Sequence, residues 1–240
     1  MTTLSRRLVA ECLGTALLLV VIVGSGIMAE RLAGGNAAIA LLANAMATGA
    51  GLVALMLMFG TLSGAHFNPA VTLSEGWQKN VPAAEVIPYI LVQVTGAFAG
   101  VAAAHMMFGE PLFFASAHIR TGPSQWWSEF VATFGLLAVI IGCSRSRPSV
   151  TPFAVAAYIT SAYWFTASTS FANPAVTLAR AASNTFAGIR LADAPAFIVA
   201  QLLGATAATL VFCWLYPPAP KNAAVGGTVA PGDFSDQSHV

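Results

Sequence analysis

Charge is what this sequence has least of: only 8% of its 240 residues are Asp, Glu, Lys or Arg, where an ordinary soluble domain carries roughly 25%. That shortage argues against a water-soluble globular fold. Nor is there an imbalance of sign, since ten basic residues face nine acidic ones for a formal charge of +1. Such a chain offers no basic surface for nucleic acid and no field to steer a charged ligand. Cysteine is scarce as well. Cys12, Cys143 and Cys213 lie far apart in apolar stretches, so they make neither a disulfide framework nor a metal-ligand spacing. No Ser-His-Asp cluster or phosphate loop is present, and His105, His118 and His239 stand isolated, which speaks against an enzyme. What is left is 57% hydrophobic with a mean hydropathy of +0.76, the profile of a multi-pass membrane protein.

The few charges leave six gaps: 12–29, 32–74, 86–109, 130–144, 148–179 and 194–220 contain none. A spanning helix needs about 20 apolar residues, so 12–29, 86–109 and 194–220 each hold one. The 130–144 gap reaches that length only with Glu129 inside the membrane. The gaps 32–74 and 148–179 are too long for one span and carry Pro, Asn and hydroxyl residues near their far ends. One span followed by a short re-entrant piece fits both. The expected fold is therefore an all-α polytopic membrane protein with six transmembrane helices and two re-entrant half-helices. It forms one domain over 1–216, followed by a disordered tail over 217–240 that is rich in Pro, Gly and Ala.

Arg6-Arg7 ahead of an apolar run imitates a secretory signal, but Glu11 interrupts that run and five further hydrophobic segments follow. With the N-terminus inside, Arg6, Arg7, Lys79, Arg145, Arg147 and Lys221 fall on the inner side and Arg31, Arg120, Arg180 and Arg190 on the outer. Six against four places both termini in the cytoplasm and the protein in the plasma membrane. The same rule explains Arg145-Ser-Arg147 better than a phosphorylation motif does. Trp126, Trp127 and Trp164 read as interfacial anchors.

The chain repeats itself. Asn-Pro-Ala-Val-Thr-Leu occurs at 68–73 and again at 173–178. Upstream of each copy sits a Glu with Thr four residues on (Glu11/Thr15, Glu129/Thr133), and downstream a Gln-x-x-Gly-Ala beginning at Gln93 and Gln201. The two repeats cover about 8–109 and 123–216. Three spans each is an odd number, so the second copy enters from the opposite face and the functional site falls near the midplane.

Asn before Pro starts a helix: asparagine caps well and proline suits the first turn. From Pro69 to Trp77 is nine residues, about 14 Å at 1.5 Å per residue, with Gly76 as a stop. The reading has four parts. Asn68 and Asn173 cap their own helices and leave their amide groups free for the lumen. The two N-termini, each worth about half a positive charge, meet at the centre and repel cations. Backbone carbonyls of Gly64, Ala65 and His66, and of Thr169, Ser170 and Phe171, line a polar path, because lipid offers them no partner. Glu11 and Glu129, costly in a membrane, accept hydrogen bonds from the re-entrant loops; a proton-coupled secondary transporter using both carboxylates is the rival.

This set of motifs resembles the aquaporin and aquaglyceroporin (major intrinsic protein) family over about residues 8–216. The resemblance implies a homotetramer in the lipid bilayer with one pore per subunit, small neutral solutes as its partners, and no cofactor. It also implies a second constriction at four positions: Thr48, Ser161, Ser170 (Phe171 with a one-residue gap) and Val176, where an arginine is usual. Read so, the filter is wide and neutral, with no cation and no aromatic ring. It suits glycerol, urea, water and uncharged arsenous or antimonous acid; Val here resembles a subset of bacterial aquaglyceroporins associated with trivalent arsenic. Arg180, one helical turn beyond Val176, either reaches over the pore mouth or anchors at the interface. His66 is a packed loop residue or a gate, and Phe67 and Phe171 are pore wall or packing. Gly96, Gly100 and Gly204 permit close helix crossings.

Overall fold

The computed structural model describes residues 2–216, which contain helices and no strand; the tail expected beyond them lies outside the described residues. The first repeat comprises α1 (Leu4–Leu32), α2 (Ala37–Ser63), the half-helix α3 (Pro69–Trp77) and α4 (Ala83–Phe108). The second comprises α5 (Pro123–Ser146), α6 (Thr151–Phe165), the half-helix α7 (Pro174–Arg180) and α8 (Ala194–Leu215). By length and composition α1, α2, α4, α5 and α8 can each cross a membrane. With fifteen residues, α6 falls short alone. A 3-10 turn over Pro148–Val150 leads directly into it, and the continuous path is then about 28 Å at 1.5 and 2.0 Å per residue.

Ion pairs at the two ends of α1 fix its direction relative to α4. Arg7 meets Glu85 at 2.7 Å, and Arg31 meets Glu110 at 2.7 Å, so the two helices run the same way. At the N-terminal face Arg145, closing α5, donates to Gln78, just past the end of α3, at 2.6 Å. At the far face the α4–α5 loop pairs with the segment after α7, through Phe114 N–H to Ala182 O at 3.1 Å and Ser116 N–H to Ala181 O at 3.0 Å. The half-helices thus point their C-termini at opposite faces, which is the inverted repeat.

Small residues set the closest crossings. A Cβ at Gly96 or Gly100 would collide with the α1 carbonyls of Cys12 and Ala16, and one at Gly204 with that of Phe130 in α5. These glycines let α4 seat against α1 and α8 against α5 in equivalent ways. Gly76 does not stop α3. That helix runs to Trp77, and the left-handed residue just beyond it is Lys79 (φ 62°); Gly76 is small because Val86 packs where its side chain would be.

Candidate functional site: a lumen through two converging half-helices

The two half-helices meet tip to tip. Asn68 Oδ1 accepts from Ala70 N–H at 2.9 Å, and Asn173 Oδ1 accepts from Ala175 N–H at 3.0 Å and from Val176 N–H at 3.3 Å. Each amide nitrogen crosses to the other repeat: Asn68 Nδ2 donates to Ala172 O and Asn173 Nδ2 to Phe67 O, both at 2.8 Å. The amide groups are therefore not wholly free, as the sequence suggested. One N–H of each clasps the opposite loop, and the second remains for the lumen that both residues line.

The loops before the tips carry unusual backbone. Of the six non-glycine residues with positive φ among the described residues, five are Ala65, Phe67, Thr169, Ser170 and Ala172. Such conformations cost about 1–3 kcal/mol each, so something must hold them. Glu11, fully buried, accepts from the His66 and Phe67 amides at 3.0 and 2.7 Å, from Ser63 Oγ at 2.6 Å and from Gln93 Nε2 at 2.8 Å. Glu129, equally buried, accepts from the Phe171 and Ala172 amides, both at 2.9 Å, and from Gln201 Nε2 at 2.6 Å. Hydrogen bonds to a charged group contribute about 1.5–3 kcal/mol each, enough in sum to offset the several kcal/mol of burying a carboxylate. Both glutamines also donate to the half-helix threonines Thr72 and Thr177 at 2.8 Å. Each Glu–Gln–Thr set ties a loop to its half-helix.

A cavity of about 950 Å³ runs past these tips. Four spans present residues to it at four-residue spacing: Leu18 and Ile22, Leu136 and Ile140, Thr48, Leu52 and Met56, and Val155, Ile159 and Tyr163. The loops add Gly64, Ala65, His66, Ser170 and Phe171, whose carbonyls accept no hydrogen bond within the described residues. Thr169, expected in this ladder, is not among the lining residues. Its loop is drawn under the start of α5, where Ser128 Oγ accepts from Ala167 N–H at 3.0 Å and Arg120 Nη1 donates to Ser168 O at 3.3 Å. His66 packs as well as lines: its Nδ1 is 3.1 Å from Thr72 Oγ1 and its ring tilts against Tyr89.

The far mouth departs most from expectation. Thr48, Ser170, Phe171 and Val176 line the cavity. Ser161 does not: it is exposed on the other side of α6, with its hydroxyl donating to Tyr158 O at 2.7 Å. Two residues from Ile159 is about 200° around a helix, so Ser161 must face away from the stripe. Separation in sequence from Asn173 does not fix an azimuth on α6, because Thr166–Ala172 is not helical. Tyr163 is the residue of this part of α6 that lines the cavity, its hydroxyl 3.2 Å from Thr48 Oγ1. The available signal was its spacing from Val155 and Ile159, which mirrors Thr48, Leu52 and Met56.

Nor is the mouth free of cations and rings. Arg180 is 2% exposed, lines the cavity, donates through Nε to Ala187 O and sits over the Phe171 ring, Cζ to ring centroid 3.4 Å. Arg120 approaches the same ring at 5.1 Å and donates to Gly188 O at 2.8 Å; burial pushes its guanidinium below the usual range. The charge count assigns both to the outer side without saying whether they face lipid, solvent or the lumen. The pore-mouth alternative for Arg180 is the one its position matches.

Six membrane crossings around a lumen, with two half-helices head to head across it, define a membrane channel. The family model for the major intrinsic protein matches residues 1–163 and 146–238. The aquaglyceroporin AqpS of Rhizobium meliloti is 53% identical over 90% of this chain and 92% of its own length. The aquaporin AqpM of Methanothermobacter marburgensis is 30% identical over 90% and 99%. In fold, the aquaglyceroporin from Plasmodium falciparum superimposes with a TM-score of 0.65 at 18% identity, covering 89% of this chain and 96% of that one. The chain belongs to the major intrinsic protein family.

Proposed function

We propose that this channel passes glycerol, urea, water and uncharged arsenous or antimonous acid down their gradients. The observation that carries the reading is the composition of the 950 Å³ cavity wall. One side supplies unbonded carbonyls and the two Asn amides, and the other supplies Leu18, Ile22, Leu52, Leu136, Ile140 and Ile159. A solute with several hydroxyls and an apolar carbon edge is solvated by such a wall, while an ion loses its hydration shell without replacement. Nothing supports the proton-coupled alternative, since the oxygens of Glu11 and Glu129 are all engaged by loop amides and side chains.

The filter of this reading consists of Thr48, Tyr163, Ser170, Phe171, Val176 and Arg180. Small size at Val176 leaves width for molecules larger than water. The working form is a homotetramer in the plasma membrane, with the face bearing Arg7, Gln78 and Arg145 toward the cytoplasm. Stopped-flow light scattering on proteoliposomes, comparing water, glycerol, urea and arsenous acid, tests the solute range. Val176→Arg is expected to cut glycerol and arsenous acid flux more than water flux. Unchanged glycerol and arsenous acid flux in that variant would refute the filter assignment.

A further inference from the structure

Three ion pairs form among the described residues, and neither Arg120 nor Arg180 belongs to any of them. The carboxylates that face this corner are already engaged: Glu129 by the Phe171 and Ala172 amides and Gln201, and Asp193 by Arg190 and the Arg120 amide. Arg120 spends its guanidinium on the carbonyls of Gly188 and Ser168. Arg180 spends only Nε, on Ala187 O; its two Nη groups have no acceptor among the described residues and the residue lines the lumen. Ser170, which precedes Phe171 and lines the same cavity, has a buried Oγ with no partner among the described residues. Two guanidiniums within reach of one ring therefore share the single charge of Glu129, which leaves the corner one negative charge short.

We infer that the far mouth is a seat for a small monovalent oxyanion of the carboxylate or nitrate type, held by Arg180 Nη and Ser170 Oγ, and that its occupation obstructs neutral flux. A planar oxyanion matches the guanidinium fork in two parallel hydrogen bonds and supplies the charge the corner lacks. A neutral polyol supplies acceptors but no charge. One anion suffices, because Arg180 keeps both Nη groups unbonded among the described residues while Arg120 already places two of its three nitrogens on carbonyls. Passage inward is unfavourable: the wall residues Val176, Leu52 and Ile159 give an anion no replacement for the fork. The inference rests on the passive-channel reading for its flux measurement and on the unbonded Arg180 Nη groups and Ser170 Oγ, both from residues lining one cavity, for the seat itself.

The test measures glycerol flux through the full chain in proteoliposomes with sodium nitrate or sodium acetate outside, ionic strength being held by a bulky sulfonate salt. Nitrate and acetate are expected to slow flux saturably. Arg180→Gln abolishes the effect, and Ser170→Ala raises the half-effective concentration by about tenfold, the weight of one hydrogen bond to a charged group. In parallel, nitrate raises the unfolding temperature of the detergent-purified wild type more than the sulfonate salt does. That second readout stands even if glycerol flux is absent, which would count against the channel reading, or if Arg180→Gln does not fold. Glycerol flux indifferent to both anions, inhibition of equal size in Arg180→Gln, or no nitrate-specific stabilisation overturns the seat.

Discussion

The two re-entrant loops descend from one plan and differ at all four positions before the shared Asn, the last two of which decide what each loop packs against. In the first repeat the residues before Asn68 are His66 and Phe67; in the second, those before Asn173 are Phe171 and Ala172. The buried Phe67 ring presses onto α1 where Gly14 leaves space and meets the edge of Phe59 at 5.9 Å between centroids. Its counterpart Ala172 leaves no ring to house, and the α5 residue corresponding to Gly14 is Ala132. Phe171, by contrast, carries Arg120 and Arg180, while its counterpart His66 reaches Thr72. What stayed the same builds the aperture: Glu, Asn, Pro, Thr and Gln. What changed sets the chemistry of the lumen on either side of it.

The shared parts should therefore show the largest and most nearly equal effects. Glu11→Gln and Glu129→Gln each face two loop amides with an uncharged, half-donating group, and each unsatisfied buried donor costs about 1–3 kcal/mol. A loss of about 2–6 kcal/mol is expected for both, read as a large drop in unfolding temperature in detergent. Glu11→Gln should be the more severe, since four hydrogen bonds rather than three converge on Glu11. A stable Glu11→Gln protein with wild-type flux would break the equivalence of the loops.

Next in size is a swap between repeats. Gly14→Ala drives a methyl into the Phe67 ring, an overpacking expected to cost about 1–3 kcal/mol. Adding Phe67→Ala reproduces the arrangement of the second repeat, and the double variant should recover part of that loss. The measurement is a double-mutant thermal unfolding cycle; strictly additive losses would show that Gly14 is not there for Phe67. Smaller again is Phe171→Ala, which removes the ring under Arg180. Cation–π contacts contribute about 0.5–2 kcal/mol, so stability should fall modestly while glycerol-to-water selectivity changes, and unaltered selectivity would remove Phe171 from the filter. Last comes Glu110→Gln. The Arg31–Glu110 pair is half-exposed on the Arg31 side, and its loss should move stability by no more than about 1 kcal/mol.

Much of this was legible because polar residues in apolar runs must be satisfied. Glu11, Glu129, Asn68, Asn173, Gln93 and Gln201 stood out against lipid-compatible neighbours, and each finds buried polar partners, although Oε1 of Gln93 and of Gln201 has none among the described residues. Side-chain direction was harder to read. Whether α6 turned Ser161 or Tyr163 inward depended on how it packs against α2, where Thr160 fills the space beside Gly49. Arg180 carried too little local context to reveal that Phe171 and the Ala187 carbonyl would hold it inside. The mutual clasp of the two Asn amides was hidden for the same reason, since it joins residues 104 and 106 positions apart.

The central claim is a passive opening where two half-helices meet, and the dependence of glycerol flux on concentration and on an imposed proton gradient tests it most directly. The account predicts flux that rises linearly with the glycerol gradient, with weak temperature dependence and no response to the proton gradient. Flux that saturates, and accelerates when protons run with the solute, would contradict it.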